Sequence, residues 1–334
     1  MTLFQLGPVT VYRYGLLLAL AGAAALLLMA RLGKRQGLQQ GTVSWFAVLA
    51  LPCAVLCARV GCCLVSLDWL LDRGISFFWQ FDKGGYMFYG ALLGGILAGA
   101  LAGKITRQPM GAILDAAAAP TALLLTVGRM AESLVGLGYG HDIEEWFDPW
   151  EEKSMVAWED PSPLYRFPLG EQNYYGTWCF AIYLPEALTA LAILLVLLGM
   201  KPRRAGGKAL LFVLLYASFQ PYWESMRQDA VLTWGFVRVN QLLSAFALLT
   251  VIILCFLALP REKRRPGLLW KSVGLLLVGC GVIMAMEFAL EQKIAFLTWM
   301  RMDVCYGVMA LGCLGLLFSA LPLWKRAFPR LAEQ

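Results

Sequence analysis

The sequence holds one histidine, His141, in 334 residues. That excludes a histidine-rich metal centre and leaves little choice of conventional proton shuttle near neutral pH. Charge is scarce as well. Only 15% of residues are Asp, Glu, Lys or Arg and 60% are hydrophobic, whereas a soluble domain carries about 25% charged residues. No polar stretch is long enough for a separate soluble enzyme core, so any chemistry takes place in or at a bilayer. The nine cysteines lie within apolar runs or at their ends, and Cys62–Cys63 lacks the flanking Cys/His spacing of a metal site. They read as small polarizable packing residues. No metal or redox cofactor is implied.

What is abundant is apolar sequence in long runs. A span needs roughly 20 apolar residues, and nine such segments are predicted: 13–32, 43–66, 86–103, 110–136, 178–199, 208–226, 241–259, 267–288 and 304–323. The fold class is an all-α, polytopic helical membrane bundle. Basic residues follow each odd-numbered span: Arg31, Lys34 and Arg35; Lys104 and Arg107; Lys201 to Lys208; Arg261 to Arg265; and Lys325 to Arg330. Lysine and arginine mark cytoplasmic loops, so the N-terminus is expected outside and the C-terminus in the cytoplasm. The net charge of +6 is thus juxtamembrane and is no nucleic-acid footprint. The first span has no basic segment before it and runs into RLGKR, unlike a cleavable signal peptide. Loop 141–177 sets nine carboxylates against Lys153 and Arg166 and carries Trp146, Trp150 and Trp158, which suits a segment resting on the outer interface.

Charged groups within spans are costly and face a protein interior or a wet cavity. Arg59 lies in the second span, within CARVG. Arg129 and Glu132 share a face of the fourth, which also carries Asp115. Tyr216, Gln220, Glu224 and Arg227 follow at intervals of four, four and three, one polar stripe on an otherwise apolar sixth helix. Two readings stay open. One is an interhelical ion-pair network of Arg59 and Arg129 with Asp115, Glu132 and Glu224. The other is a cavity for an anionic headgroup, because the planar guanidinium fork binds two phosphate oxygens at once. Tyr14, in YRYGLLLAL, and Tyr89, in GGYMFYGALLGG, are further candidates. The glycines around Tyr89 also suit close helix packing.

The order of these motifs resembles the bacterial prolipoprotein diacylglyceryl transferase family. YGLLLAL is similar to its first-span YG motif, ARVG to ARLG, and GGYMFYGALLG to GGMSFHGGLLG. LDAAAAP resembles its D-x-x-x-P stretch with one extra residue, and GRMAESLVGLGYG the signature GRIGNFINGELWG. PEAL, with Glu186, stands where the family has YEAL; YASFQPYWESMRQD resembles YGLFRFLVEFFREPD, and NQLLS resembles GQLLS. The likeness runs in order from residue 12 to about 250.

It implies a seven-span core, 1–259, in the bacterial cytoplasmic membrane, with 260–334 an additional two-span hairpin. It implies an enzyme that moves the diacylglyceryl group of phosphatidylglycerol onto the lipobox cysteine of a prolipoprotein. Arg129 would clamp the phosphate, with Arg59 a supporting cation. Tyr14 and Tyr216 would position headgroup or thiol, and Glu224 and Asp115 would hold the arginines. Glu132, Gly140, Glu186, Gln220 and Arg227 complete the substrate-binding set, with Tyr89 in the catalytic position.

The chain departs from the pattern at four places: the family's histidine is Tyr89, its signature asparagine is Glu132, the glutamate of NGELWG is Leu137, and one arginine is Gln220. A lipid transferase with another acceptor, a lipid-binding pseudoenzyme and a transporter are the alternatives. In the added hairpin, Glu287 and Glu291 share a face and read, with Arg301 and Asp303, as an exposed loop cluster.

Overall fold

The structure is a computed structural model and describes residues 2–6, 9–67, 71, 74, 76–81, 84–143, 168–173, 176–200, 204–229, 232–234, 237–293, 295–297 and 299–329. Most of the acidic loop 141–177 lies outside the described residues, as do Lys201, Arg203 and Arg330. Among the described residues nine long helices stand where nine spans were predicted. They are α1 (Arg13–Arg35), α2 (Gln40–Val65), α3 (Phe88–Thr106), α4 (Met110–Glu132), α5 (Tyr183–Gly199), α6 (Gly207–Met226), α7 (Val239–Ala258), α8 (Pro266–Leu290) and α9 (Met302–Ala327).

Seven of the nine are long and apolar enough to cross a membrane: α1 to α4 and α7 to α9. The other two depart for separate reasons. Helix α5 has 17 residues, a rise of about 26 Å at 1.5 Å each, because its first predicted turn is instead strand. Helix α6 has the length but carries the polar stripe. It buries Ser218, Gln220, Glu224 and Ser225 against α4, α5, α7 and α9. A helix polar on one side within a bilayer needs protein around it, and here it has protein on all of these sides.

Short strands are the feature that the apolar periodicity did not indicate. Strands β1 (Thr2–Leu6) and β2 (Val9–Tyr12) form a hairpin before α1. Strands β3 (Tyr139–Asp142), β4 (Gly170–Gln172) and β5 (Trp178–Ala181) form an antiparallel sheet in the order β3-β5-β4. In it Tyr139 pairs with Ala181, and Glu171 with Cys179. Strands β6 (Thr233–Trp234) and β7 (Val237–Arg238) lead into α7.

Small residues decide where helices touch most closely. A Cβ on Gly94 would lie 2.3 Å from the Cys53 carbonyl oxygen, and one on Gly90 would lie 2.5 Å from that of Cys57. These glycines let α3 lie against α2, as small residues do in membrane helix pairs. None of the nine cysteines, all of them among the described residues, is in a disulfide. Cys255, Cys305 and Cys313 sit inside the main apolar core, which runs from α5 through α6 and α7 into α8 and α9. The added hairpin therefore shares one core with the helices before it.

Candidate functional site

The site is built where α4, α5 and α6 end together. Arg129, in the last turn of α4, places Nη1 2.6 Å from Glu132 Oε1 and Nε 3.3 Å from Glu186 Oε2. Glu186 lies in the first turn of α5 and is buried. Its Oε2 also accepts from Arg227 Nη1 at 2.8 Å. Arg227, just past α6, reaches Glu132 Oε2 at 3.0 Å and Asp229 Oδ2 at 2.6 Å. Two guanidinium groups thus share Glu132 and Glu186, with Asp229 as a third carboxylate. Burial works against the charge on Arg227, but the Asp229 hydrogen bond and the carboxylates of Glu186 and Glu132 outweigh it and raise its pKa. Burial likewise pushes Asp229 up, and the Arg227 hydrogen bond overcomes it, holding the carboxyl below its usual range.

Arg129 and Glu186 line a small cavity of ≈ 20 Å³ together with Thr189, Tyr216, Gln220 and Trp223. That is room for about one water. Glu186 Oε1 is buried and has no hydrogen-bond partner among the described residues. Leaving a buried polar atom unpaired costs on the order of 1–3 kcal/mol, more when it is charged, so this oxygen is the least satisfied atom of the cluster. Tyr14, half-buried at the start of α1, lies within electrostatic reach of Glu132 and Arg129.

Local backbone geometry brings Arg227 there. Gly140 and Arg227 form an isolated antiparallel bridge, and Gln228 N donates to Tyr139 O at 3.0 Å. A Cβ on Gly140 would lie 2.6 Å from Ile182 Cγ1 and 3.0 Å from Met226 O, so the strand can pass between α5 and α6 only without a side chain. Gly138 has φ +80°, and its Cβ would meet Tyr183 Cβ at 2.7 Å. Only glycine takes that conformation freely, and the Gly138 N–H donates to Asp229 Oδ2 at 3.1 Å. The glycines of GLGYG are therefore what lets the β3 strand close over the ion-pair cluster.

Three predicted members have other partners. Arg59 is fully buried, but its guanidinium donates to the backbone carbonyls of Phe77, Phe78, Gln80, Gly84 and Gly85. A buried fork has five N–H donors to satisfy, and loop 77–85 supplies the acceptors, so Arg59 fastens a loop and joins no ion pair among the described residues. Asp115 accepts from Gly206 N at 2.8 Å and Ala209 N at 2.9 Å. It caps the start of α6, about 21 Å along α4 from Arg129 at 1.5 Å per residue, and does not hold the arginines. Glu224 accepts from Asn240 Nδ2 at 2.9 Å and Gln220 Nε2 at 3.0 Å; amide groups, not guanidinium groups, hold its side chain. The ion-pair reading is right in kind, and its partners are Glu132, Glu186 and Asp229.

Tyr89 stands next to Tyr216, ring centroids 6.0 Å apart, and its hydroxyl is 2.6 Å from Ser244 Oγ on α7. Sequence reasoning missed Asp229, whose only signal is its place two residues after Arg227. It also missed Asn240, in the NQLLS motif.

The one histidine belongs to the rim. Tyr306 on α9 donates its hydroxyl hydrogen to Ser225 O at 3.1 Å and lies 2.8 Å from His141 Nε2. Gln228 Nε2 also approaches the ring, 2.8 Å from Nε2 and 3.2 Å from Nδ1. Burial, and after it the charge on Arg238, press the His141 pKa from 6.5 to about 4. A histidine with a lowered folded pKa stabilises the fold fully above its unfolded value, and that stability is lost as pH falls toward the folded one. The thermal midpoint is therefore expected to fall as pH is lowered from 6.5 toward 4, and His141→Gln to flatten that part of the curve. Asp229 titrates below its ordinary 3.8, and the difference between wild type and His141→Gln cancels the carboxylates that the two proteins share. An unchanged slope in His141→Gln, measured by thermal unfolding in one detergent, would sink the assignment.

A family model described as prolipoprotein diacylglyceryl transferase matches residues 1–257. A phosphatidylglycerol–prolipoprotein diacylglyceryl transferase of Bacillus licheniformis is 26% identical over 266 residues, 79% of this chain and 92% of the relative. Proteins of the same name from Symbiobacterium thermophilum and Limosilactobacillus reuteri are 28% and 27% identical, over 78% and 79% of this chain and 93% and 92% of their own lengths. The match takes in every residue of the Arg129–Glu132–Glu186–Arg227 cluster, and by it the chain belongs to the prolipoprotein diacylglyceryl transferase family.

Proposed function

We propose that this chain transfers the diacylglyceryl group of phosphatidylglycerol to the lipobox cysteine thiol of a prolipoprotein, in a bacterial cytoplasmic membrane. The observation that carries the reading is the arginine pair: Arg129 and Arg227 meet at Glu186 beside a cavity that also holds Tyr216. The leaving group is a phosphate ester, and fixed guanidinium donors stabilise charge as it develops there. Arg129 is the clamp, because it pairs with two carboxylates to the three of Arg227, its bond to Glu186 is longer (3.3 against 2.8 Å), and it faces the cavity.

The thiol must lose a proton before its sulfur attacks carbon. Tyr89 is a poor acceptor because its hydroxyl is engaged with Ser244. Glu186 Oε1, which has no hydrogen-bond partner among the described residues and belongs to a side chain lining the cavity, takes that proton. The thiolate then forms the thioether bond, the glyceryl carbon–oxygen bond to phosphate breaks, and the electron pair leaves on the phosphate oxygen. The proton on Glu186 passes to the departing glycerol phosphate, which restores the carboxylate and balances the step.

The test is mass spectrometry of a lipobox peptide incubated with the purified protein and phosphatidylglycerol vesicles. A diacylglyceryl mass gain on cysteine, with glycerol phosphate released in equal amount, is the expected result. A second reading, lipid binding without turnover, is favoured by Gln220, which stands where the resembling motif has arginine and is spent on Glu224; headgroup binding with no product would select it.

The site faces outward in this reading, with the N-terminus outside and the C-terminus in the cytoplasm. A fluorescent reporter that folds only in the cytoplasm, fused after Gln334, is expected to light up. A dark but full-length fusion would reverse the orientation.

A further inference from the structure

Helices α8 and α9 lie beyond residue 257, where the family match ends. Their contacts converge on one place. Helix α9 runs along α6 and grips it at both ends: Trp324 Nε1 donates to Gly207 O at 2.8 Å, and Tyr306 Oη donates to Ser225 O at 3.1 Å. Between these ends Met309, Cys313, Leu316 and Ala320 are buried in the core that holds Leu214 and Ala217 of α6. Tyr306 also meets His141 of β3, the strand that bridges to Arg227. From α8, Glu287 accepts from Gln241 Nε2 and lies 3.8 Å from Arg238 Nε. Arg238 in turn donates to the carbonyls of Glu224 and Arg227, the latter at 3.2 Å.

The last carbonyls of a helix have no partner within it, and here Arg238 and Tyr306 supply partners for two of them, Glu224 and Ser225, and for the capping residue Arg227. Glu287 was expected in an exposed cluster with Glu291, Arg301 and Asp303. It is buried instead, because Arg238 and Gln241 offer it donors, while Glu291 pairs with Lys293 and Arg301 with Asp303 near the surface. Packing is incomplete beside Glu287. A cavity of ≈ 110 Å³ lined by Pro221, Leu242, Ala245, Ile283, Met284 and Leu316 lies beside Glu287, so the polar ties set the register of the α6 end.

We propose that the C-terminal hairpin is a positioning device for the Arg227 end of the site, with Glu287 and Tyr306 as its positioning residues. The inference rests on the transferase reading of that site. Glu287 orients Arg238, Arg238 and Tyr306 hold the final carbonyls of α6, and Arg227 thereby stays aligned with Glu186 and Glu132. Neither residue touches the cavity beside Arg129, so their effect is on turnover and not on lipid uptake.

The experiment uses the full chain in phosphatidylglycerol nanodiscs. It compares wild type with Tyr306→Phe, Glu287→Ala and Glu287→Gln, and with Glu291→Gln as a control on the same hairpin. Two quantities are read: amide exchange across 224–229, and kcat and KM in the lipobox-peptide assay. Tyr306→Phe and Glu287→Ala are expected to speed exchange and to lower kcat about tenfold or more, as small misplacements of reacting groups do, with KM for lipid held. Glu287→Gln, which keeps the acceptor for Gln241, recovers part of the loss, and Glu291→Gln matches wild type. Unchanged exchange overturns the proposal whatever the activity, as does faster exchange with undiminished kcat in an active wild type. If wild type itself makes no product, faster exchange in the variants leaves the positioning role standing and removes the transferase reading instead.

Discussion

Arg129→Ala is expected to lower thioether formation by roughly 10²–10³-fold, the usual cost of removing one fixed donor to a developing oxyanion. The variant should still fold. Its two carboxylate partners keep a cation, since Arg227 lies 2.8 Å from Glu186 Oε2 and 3.0 Å from Glu132 Oε2. Breaking a buried pair outright costs about 3–5 kcal/mol, and shared pairing avoids most of that. Arg129→Lys separates charge from shape. Lysine supplies a point charge without the planar fork, so its activity should fall between alanine and wild type. The check is the initial rate of peptide mass gain in phosphatidylglycerol vesicles, beside a thermal midpoint for each variant. Turnover unchanged in Arg129→Ala would remove Arg129 from the site.

The reason to expect so large an effect from one side chain lies in how the charges are arranged. Arg227 is committed to three carboxylates, Glu132, Glu186 and Asp229. Arg129 is shared between two, and its bond to Glu186 is the longer at 3.3 Å. An incoming phosphate therefore competes for Arg129 first. The site carries Gln220 where the resembling motif carries a third arginine, so no neighbouring cation on α6 takes over when Arg129 is lost.

Much of this was legible in the residues themselves. The four-four-three spacing of Tyr216, Gln220, Glu224 and Arg227 placed them on one stripe, and α6 buries that stripe. Nine apolar runs gave nine helices with ends shifted by a few residues, except that Trp178–Ala181 form a strand. Here Tyr139 and Cys179 sit in a three-stranded sheet whose pairing no local pattern specifies. What stayed hidden was the choice of partners. Arg59 and Arg129 look alike in sequence, each an arginine in an apolar helix. Among the described residues one donates to backbone carbonyls and the other pairs with carboxylates, a difference made by segments distant in the chain. Glu287 was hidden for the same reason, since its partners Arg238 and Gln241 come from before the added hairpin.

The second large effect should come from Glu186→Gln. The substitution keeps the size of the side chain and one carbonyl oxygen for Arg129 and Arg227, but removes the oxygen that can take up a proton. General base catalysis is worth about 10²–10⁴-fold, and a loss of that order is expected with a cysteine peptide at neutral pH. Two rescues distinguish a proton acceptor from a residue that only holds the arginines. A thiol ionises near pH 8.5, so the deficit of Glu186→Gln should shrink as pH is raised through that value, while the charged groups around the position, Arg129, Arg227, Glu132 and Glu224, are the same in both proteins. A selenocysteine peptide is the sharper probe. Its selenol is already ionised at neutral pH and has no proton to give up, so wild type and Glu186→Gln should use it at similar rates. If the variant is as poor with the selenol as with the thiol, Glu186 only aligns Arg129 and Arg227, and the proton goes elsewhere.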